Sequence, residues 1–263
     1  REQMEKAREA AATCPQEILI VVFDMIADLP SGVMSWASLL AAGADSADAR
    51  SDDDFRAAAL EAELHDVATV LYTSGTTGDP KGVLYSHRSS VLHAMSSSMP
   101  DVLGLSANDV LSPIVPMFHV NAWGVPFSGP MAGAKLVMPG PNLDGASLHA
   151  LFEAEGVTCT AGVPTVWLGL LDWMDAHGQR FTSLKRVAIG GSASPPIMIS
   201  RFHNMGVKVR HAWGMTETSP IGLAACLMPK HQSLTPEQRL MLEAKQGRPV
   251  YGMEFRVDGA DGK

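Results

Sequence analysis

The chain has 263 residues, 46% hydrophobic and 18% charged, with a formal net charge of -8. That balance supports a folded protein with a sizeable core and excludes a disordered chain or a broad nucleic-acid surface. Cys14, Cys159 and Cys226 form no CxxC pair, which fits a reducing compartment, the cytoplasm being expected, rather than a disulfide framework or zinc site. The best apolar run, Ile18 to Phe23, is far short of a membrane span. The chain opens with neither an initiator methionine nor a signal-peptide pattern, and both ends read as cut.

In chain order, Glu2 to Ala12 reads as a helix and Ile18 to Phe23 as a strand. An alanine-rich stretch carrying Asp45, Asp48, Asp52, Asp53 and Asp54 is expected to be a solvated loop. From Ala68 onward, β-branched apolar runs recur at Ala68–Tyr72, Val110–Val115, Lys135–Met138, Val157–Ala161, Arg186–Ile189 and Val207–Ala212. Amphipathic helices lie between several of them: Leu148, Leu151 and Phe152 share one face, as do Trp167, Leu170, Leu171 and Met174, and Met198, Phe202 and Met205. Ser194 and Pro195 read as the cap and first turn of the last of these. The alternation predicts a layered α/β fold with a mainly parallel sheet flanked by helices.

Directly after the Ala68–Tyr72 strand comes Thr73-Ser74-Gly75-Thr76-Thr77-Gly78-Asp79-Pro80-Lys81-Gly82. Glycines let backbone amides approach an anion, hydroxyls add donors and the lysine adds a mobile positive charge, which together suit a polyphosphate. It is not a Walker A loop, since Pro80 stands where the second glycine belongs and Gly82 follows the lysine. The chain holds no GxG, which disfavours a nicotinamide oxidoreductase. Gly190-Gly191-Ser192-Ala193-Ser194 comes near the hydrolase elbow GxSxG but ends in Ser194, so a serine hydrolase acting through Ser192 is a poor alternative.

Tyr72 to Val83 resembles the phosphate loop of the adenylate-forming superfamily, which contains acyl-CoA synthetases, peptide-synthetase adenylation domains and firefly luciferase. Ala212-Trp213-Gly214-Met215-Thr216-Glu217-Thr218 resembles its adenine and magnesium motif, and Gly190-Gly191-Ser192-Ala193 its adenine wall. Val115-Pro116-Met117-Phe118-His119-Val120-Asn121-Ala122-Trp123-Gly124 is similar to the acyl-pocket segment of medium- and long-chain fatty acyl-CoA synthetases. The resemblance runs from about Ala68 to the C-terminus and is weak before it.

It implies two steps: a carboxylate attacks the α-phosphorus of ATP to give an acyl-adenylate, and coenzyme A then displaces AMP. By the same resemblance, Thr73, Ser74, Gly75, Thr76, Thr77, Gly78 and Lys81 hold the phosphates, and Glu217 binds Mg2+. Gly191, Ser192 and Ala193 lie on the adenine, with Trp213, standing where the family often has Tyr, stacked upon it and Gly214, Met215 and Thr216 beside it. His119, Trp123 and Val163 face the acyl substrate; Lys81, Thr216, Glu217 and His119 are the expected catalytic residues. The expected partners are ATP, Mg2+, CoA and a small carboxylate, preferentially a fatty acid, with a homodimer left open. Residues 1–67 are then the end of a first α/β subdomain, 68–263 the nucleotide- and acyl-binding subdomain, and the superfamily's mobile C-terminal domain is absent. A chain without that domain is expected to be inactive by itself. The alternatives are a ligase for a short methylthioalkanoate or other carboxylate, and a non-catalytic nucleotide-binding module of the same fold.

Overall fold

The computed structural model describes residues 2–16, 18–23, 28–44, 51–73 and 78–258. They fall into two units, Arg1–Ala62 and Glu63–Lys263. In the first, helix α1 (Glu2–Ala12) has the expected bounds, and strand β1 (Ile20–Val22) pairs in parallel with β2 (Val33–Ser35). Helix α2 (Trp36–Ala44) follows, then α3 (Asp52–Glu61). The acidic stretch is therefore not all loop. Ser51 Oγ accepts the Asp54 N–H at 3.2 Å, and the Asp54 carboxylate accepts the Ser51 N–H at 2.9 Å. This reciprocal cap, with three aspartates in the first turn facing the positive end of the helix dipole, makes residues 52–54 a helix start. Asp45 and Asp48 lie outside the described residues.

The second unit opens with β3 (Val67–Thr73) and β4 (Lys81–Ser86), followed by α4 (His87–Ser98), which Ser86 caps. Next come β5 (Val110–Pro113), the single turn α5 (Val120–Trp123), α6 (Val125–Ala132) and β6 (Lys135–Leu136). The regular alternation continues with α7 (Gly145–Glu155), β7 (Cys159–Gly162), α8 (Pro164–His177), β8 (Arg186–Ile189), α9 (Pro196–Asn204) and β9 (Lys208–Gly214). β10 (Ile221–Ala224), α10 (Pro236–Glu243) and β11 (Arg248–Pro249) complete it.

Seven strands form one sheet in the order β11-β10-β9-β8-β7-β5-β6. β6, β5, β7, β8 and β9 run parallel, and β10 and β11 add two antiparallel neighbours. The sheet is thus mainly parallel and layered with helices, as the alternation required. The Ala68–Tyr72 run is the exception. It lies in a separate two-stranded antiparallel sheet, β3 with β4, with Thr73 opposite Lys81. The connection is too short to carry the crossover that a parallel neighbour needs, so the chain must turn straight back.

Side chains alternate between two cores. On β8, Val187 and Ile189 pack with Leu148, Phe152, Trp167, Leu170 and Phe202 from α7, α8 and α9. Ala188, with Ala161 and Ala212 of the adjacent strands, lies on the other face beside Trp123 and Val125. The first layer is filled by large residues, and the second is kept shallow by alanines, which leaves room for an indole and for a cavity. α9 is capped differently from the sequence expectation: Pro195 occupies the cap and Pro196 the first turn, and Ser194 Oγ is buried without a hydrogen-bond partner. At the amino-terminal ends of β5, β7 and β8, opposite the cavity, Arg186 Nη2 donates to Asp109 Oδ1 at 2.5 Å and Thr158 Oγ1 to the same oxygen at 2.8 Å. Burial alone would raise the Asp109 carboxyl, but these bonds outweigh it and hold the group below the usual carboxylate range.

Candidate functional site

A cavity of about 430 Å³ opens beyond the carboxyl ends of β8 and β9, where parallel α/β sheets commonly receive ligands. Gly190 and Gly191 line it from the end of β8, and Ala212, Trp213 and Gly214 from the end of β9. Met215, Thr216, Glu217, Pro220 and Ile221 come from the turn after β9 and the start of β10. The hairpin contributes Thr73 and Lys81, and the segment after β5 contributes His119, Val120 and Trp123.

Two glycines make this geometry feasible. A Cβ on Gly214 would lie 2.0 Å from the carbonyl oxygen of Pro220, so any side chain would push the two backbones apart. One on Gly190 would lie 2.9 Å from the Ala212 carbonyl oxygen and 3.1 Å from Cη2 of Trp123. The indole therefore rests on bare backbone. Its position is fixed by an uncommon backbone: Val120, Asn121, Ala122 and Trp123 all have φ between 42° and 58°, a left-handed turn of non-glycine residues. Such backbone costs roughly 1–2 kcal/mol per residue and is found where surrounding structure enforces it. Gly124, at φ 77°, ends the turn.

Two buried groups stand behind the cavity wall. Tyr85, on β4, donates its hydroxyl to the carbonyl oxygen of Thr216 at 2.5 Å. Burial, and then the nearby Glu217 charge, push this phenol up to about 12. His93, on α4, accepts the Ile221 N–H on Nε2 at 3.0 Å, and burial pushes it down to about 4, so it is a neutral acceptor. Neither was singled out from the sequence. Tyr85 had one usable signal, its place two residues after Val83 and four after Lys81 on one strand face; His93, in a serine-rich helix, had none.

Of the expected site residues, Thr73, Lys81, His119, Trp123, Gly191, Trp213, Gly214, Met215, Thr216 and Glu217 line this one cavity. Ser74, Gly75, Thr76 and Thr77 lie outside the described residues. Gly78, Ser192, Ala193 and Val163 are not on the wall; Val163 sits one layer back, its Cγ1 at 3.1 Å from where a Gly191 Cβ would stand. The wall also includes Gly190 and Ala212, from the two adenine motifs, and Val120, from the acyl-pocket segment, together with Pro220 and Ile221, which sequence reasoning had not assigned to a ligand. The serine-hydrolase alternative finds no support in the geometry. Ser192 is exposed, and the two buried histidines are engaged elsewhere, His93 with Ile221 and His211 with the carbonyl of Ala244.

The donor set suits a magnesium-bound nucleotide. Among the described residues no three or more His, Cys, Asp or Glu side chains converge as a metal cage. Glu217 is the one acid among the described residues of the wall, and a hard cation bridging phosphates commonly takes only one or two carboxylates. Lys81 supplies positive charge, and exposed backbone at Gly191 and Gly214 is open to a flat ring.

Comparison with known proteins agrees with this geometry. The profile of the family described as AMP-binding enzyme matches residues 2–263. A medium-chain-fatty-acid–CoA ligase of Ectopseudomonas oleovorans is 54% identical over 203 residues, 77% of this chain and 37% of its own length. A 3-methylmercaptopropionyl-CoA ligase of Ruegeria lacuscaerulensis is 51% identical over 196 residues, 74% of this chain and 36% of its own. The chain thus spans little more than a third of these relatives. Among solved structures, O-succinylbenzoate coenzyme A synthetase of Bacillus subtilis, in complex with ATP and magnesium ion, superimposes with a TM-score of 0.63 at 25% identity, over 77% of this chain and 39% of that one.

Proposed function

Because the chain belongs to the AMP-binding enzyme family, we propose that it is the nucleotide- and acyl-binding part of a longer ATP-dependent acyl-CoA synthetase acting on a fatty acid. The observation that carries this is the convergence of Lys81, Glu217 and Trp213 with His119 and Trp123 on one cavity, an anion-binding end beside an apolar end. The similarity to the medium-chain fatty-acid ligase supports the acyl assignment.

In this reading Trp213 and the Gly190–Gly191 backbone sandwich the adenine, while Lys81 and the hydroxyls of Thr73 and Thr216 grip the phosphates. Glu217 would hold Mg2+, which neutralises charge on the phosphates when bound. His119 orients the substrate carboxylate toward the α-phosphorus. One carboxylate oxygen forms the new P–O bond as the bond to pyrophosphate breaks, giving acyl-adenylate. The thiolate of CoA then adds to the acyl carbonyl carbon, and AMP leaves with the former carboxylate oxygen. Negative charge builds on the transferring phosphoryl group, so preorganised cationic donors supply most of the protein's contribution. Gly78, Ser192 and Ala193 flank the phosphates and the ring, and Val163 backs Gly191 from one layer behind. Residues 68–263 act as the nucleotide and acyl subdomain and 1–67 as the end of a preceding one. A cytoplasmic setting suits the free thiols Cys14, Cys159 and Cys226; among the described residues no helix is long and apolar enough to cross a membrane.

The similarity to a 3-methylmercaptopropionyl-CoA ligase favours a second substrate, a short methylthioalkanoate, on the same site. The test is a series of carboxylates of increasing length with the full-length protein, following AMP and acyl-CoA. A kcat/KM maximum at six carbons or more supports the fatty acid, and a maximum at 3-(methylthio)propionate supports the alternative. AMP release with no carboxylate at all overturns both.

A further inference from the structure

Side chains alternate along a strand, so β4 places Lys81, Val83 and Tyr85 on one face of the hairpin. Lys81 reaches the cavity, and Tyr85 is buried, 4% exposed, with its hydroxyl on the Thr216 carbonyl oxygen 131 positions later in the chain. The residue after that carbonyl is Glu217, exposed to the cavity. The turn bearing it is only the three residues Thr216–Thr218, closed by Thr218 Oγ1 accepting the Met215 N–H at 2.8 Å. Among the described residues, the hydrogen bond tying this turn to the hairpin is that of Tyr85. With the phenol pushed up to about 12, the hydroxyl remains a donor throughout the working pH range.

We infer that Tyr85 is a positioning residue, pinning the Thr216–Glu217 turn to the Lys81 strand and so setting the separation between the cation and the carboxylate that face one magnesium–nucleotide. This rests on the function proposed above. The Thr218 hydroxyl and the backbone bonds from Thr218 N–H to the Met215 carbonyl and from Ser219 N–H to the Thr216 carbonyl close the turn on itself, but none of them ties it to the hairpin. The Tyr85 bond fixes the turn to the strand that delivers Lys81. Phenylalanine would keep the buried ring and remove only the donor, leaving the Thr216 carbonyl with the longer 3.4 Å bond from the Ser219 N–H.

The experiment uses the full-length protein with Tyr85→Phe, Glu217→Gln and the double variant. Without nucleotide, amide hydrogen exchange across 215–219 should be several-fold faster in Tyr85→Phe, a readout independent of metal and turnover. Calorimetric titration with ATP should show a dissociation constant raised about tenfold in saturating MgCl2, the size of one lost hydrogen bond, and much less in EDTA. The fatty-acid KM should stay unchanged, and the double variant should bind MgATP no more weakly than Glu217→Gln alone. Unchanged exchange and MgATP affinity in Tyr85→Phe, equal weakening with and without magnesium, or a full additive loss in the double variant would each overturn the inference. Wild-type protein that binds MgATP but forms no AMP from any carboxylate removes the synthetase reading while the binding comparison still decides the role of Tyr85.

Discussion

Trp123→Ala probes the apolar end of the cavity. The indole is 7% exposed, belongs to the alanine-rich core and also lines the cavity, so truncation acts in two ways. It removes a large buried side chain, which costs about 3–5 kcal/mol of stability. It also removes the wall over Gly190, where Cη2 stands 3.1 Å from the site of a Cβ, and lengthens the apolar end. Each additional methylene that gains contact is worth roughly 0.8 kcal/mol. A shift of two or three carbons therefore amounts to about 2 kcal/mol, or about thirtyfold in relative kcat/KM. The assay is kcat/KM over a saturated fatty-acid series in the full-length protein, with thermal unfolding and ATP affinity measured alongside. The expected result is a lower Tm, an optimum displaced to longer chains and a nearly unchanged ATP affinity. A large fall in Tm with the length profile merely scaled down would refute the acyl role and leave Trp123 as core.

Glu217→Ala should reduce the adenylation half-reaction by about 10²–10³, the size of one charge-stabilising contact, while the unfolding midpoint hardly moves because the side chain is exposed. Near-normal pyrophosphate exchange at limiting magnesium would contradict that. His93 must stay neutral to accept the Ile221 N–H, and its folded value of about 4 lies below the ordinary 6.5. Its contribution is complete above the unfolded value, is lost as pH falls from 6.5 toward 4, and amounts to about 3 kcal/mol. Denaturant unfolding at pH 7.5, 5.5 and 4 should show this slope, and His93→Gln should flatten it. Gly214→Ala should displace Pro220, costing about 1–3 kcal/mol and weakening nucleotide binding more than acyl binding, read by titrating each separately.

The parts of the fold that sequence reasoning reached are those where local pattern and tertiary packing agree. Trp167, Leu170, Leu171 and Met174 mark α8 because the face they share is the face buried. β8 keeps its expected bounds because both its faces are covered and its β-branched residues point into the large-residue core. Where the two levels diverge, the sequence was silent. α4 is rich in serine, and its buried face includes His93, Ser96 and Ser97, so no apolar stripe announces it. α6 carries Pro126 and Pro130 and a closely packed Gly129, whose added Cβ would lie 2.8 Å from Leu136, so propensity argues against a helix that packing enforces. The left-handed turn at Val120–Trp123 contradicts the preference of every residue in it but Asn121.

That contradiction bears on how the site is built. The residues proposed for phosphate, metal and acyl binding were legible because each of those tasks needs particular side chains, and those needs are written locally. What joins them is not local: Tyr85 meets Thr216 across 131 positions and His93 meets Ile221 across 128. Both belong to β4 and α4, the segment immediately after the phosphate loop, and both hold backbone of the turn and strand that follow Trp213. One short stretch therefore fastens the Lys81 side of the cavity to its Trp213 and Glu217 side. His93 does more, because Cε1 and Nδ1 each stand 2.6 Å from where a Gly124 Cβ would be. Gly124 closes the left-handed turn that aims Trp123. A single neutral imidazole thus abuts the end of the Trp123 turn on one side and bonds the start of β10 on the other, and its neutrality is what permits the bond. The strained turn persists because α4 packs against α6 behind it, a cost met by burial elsewhere in the layer.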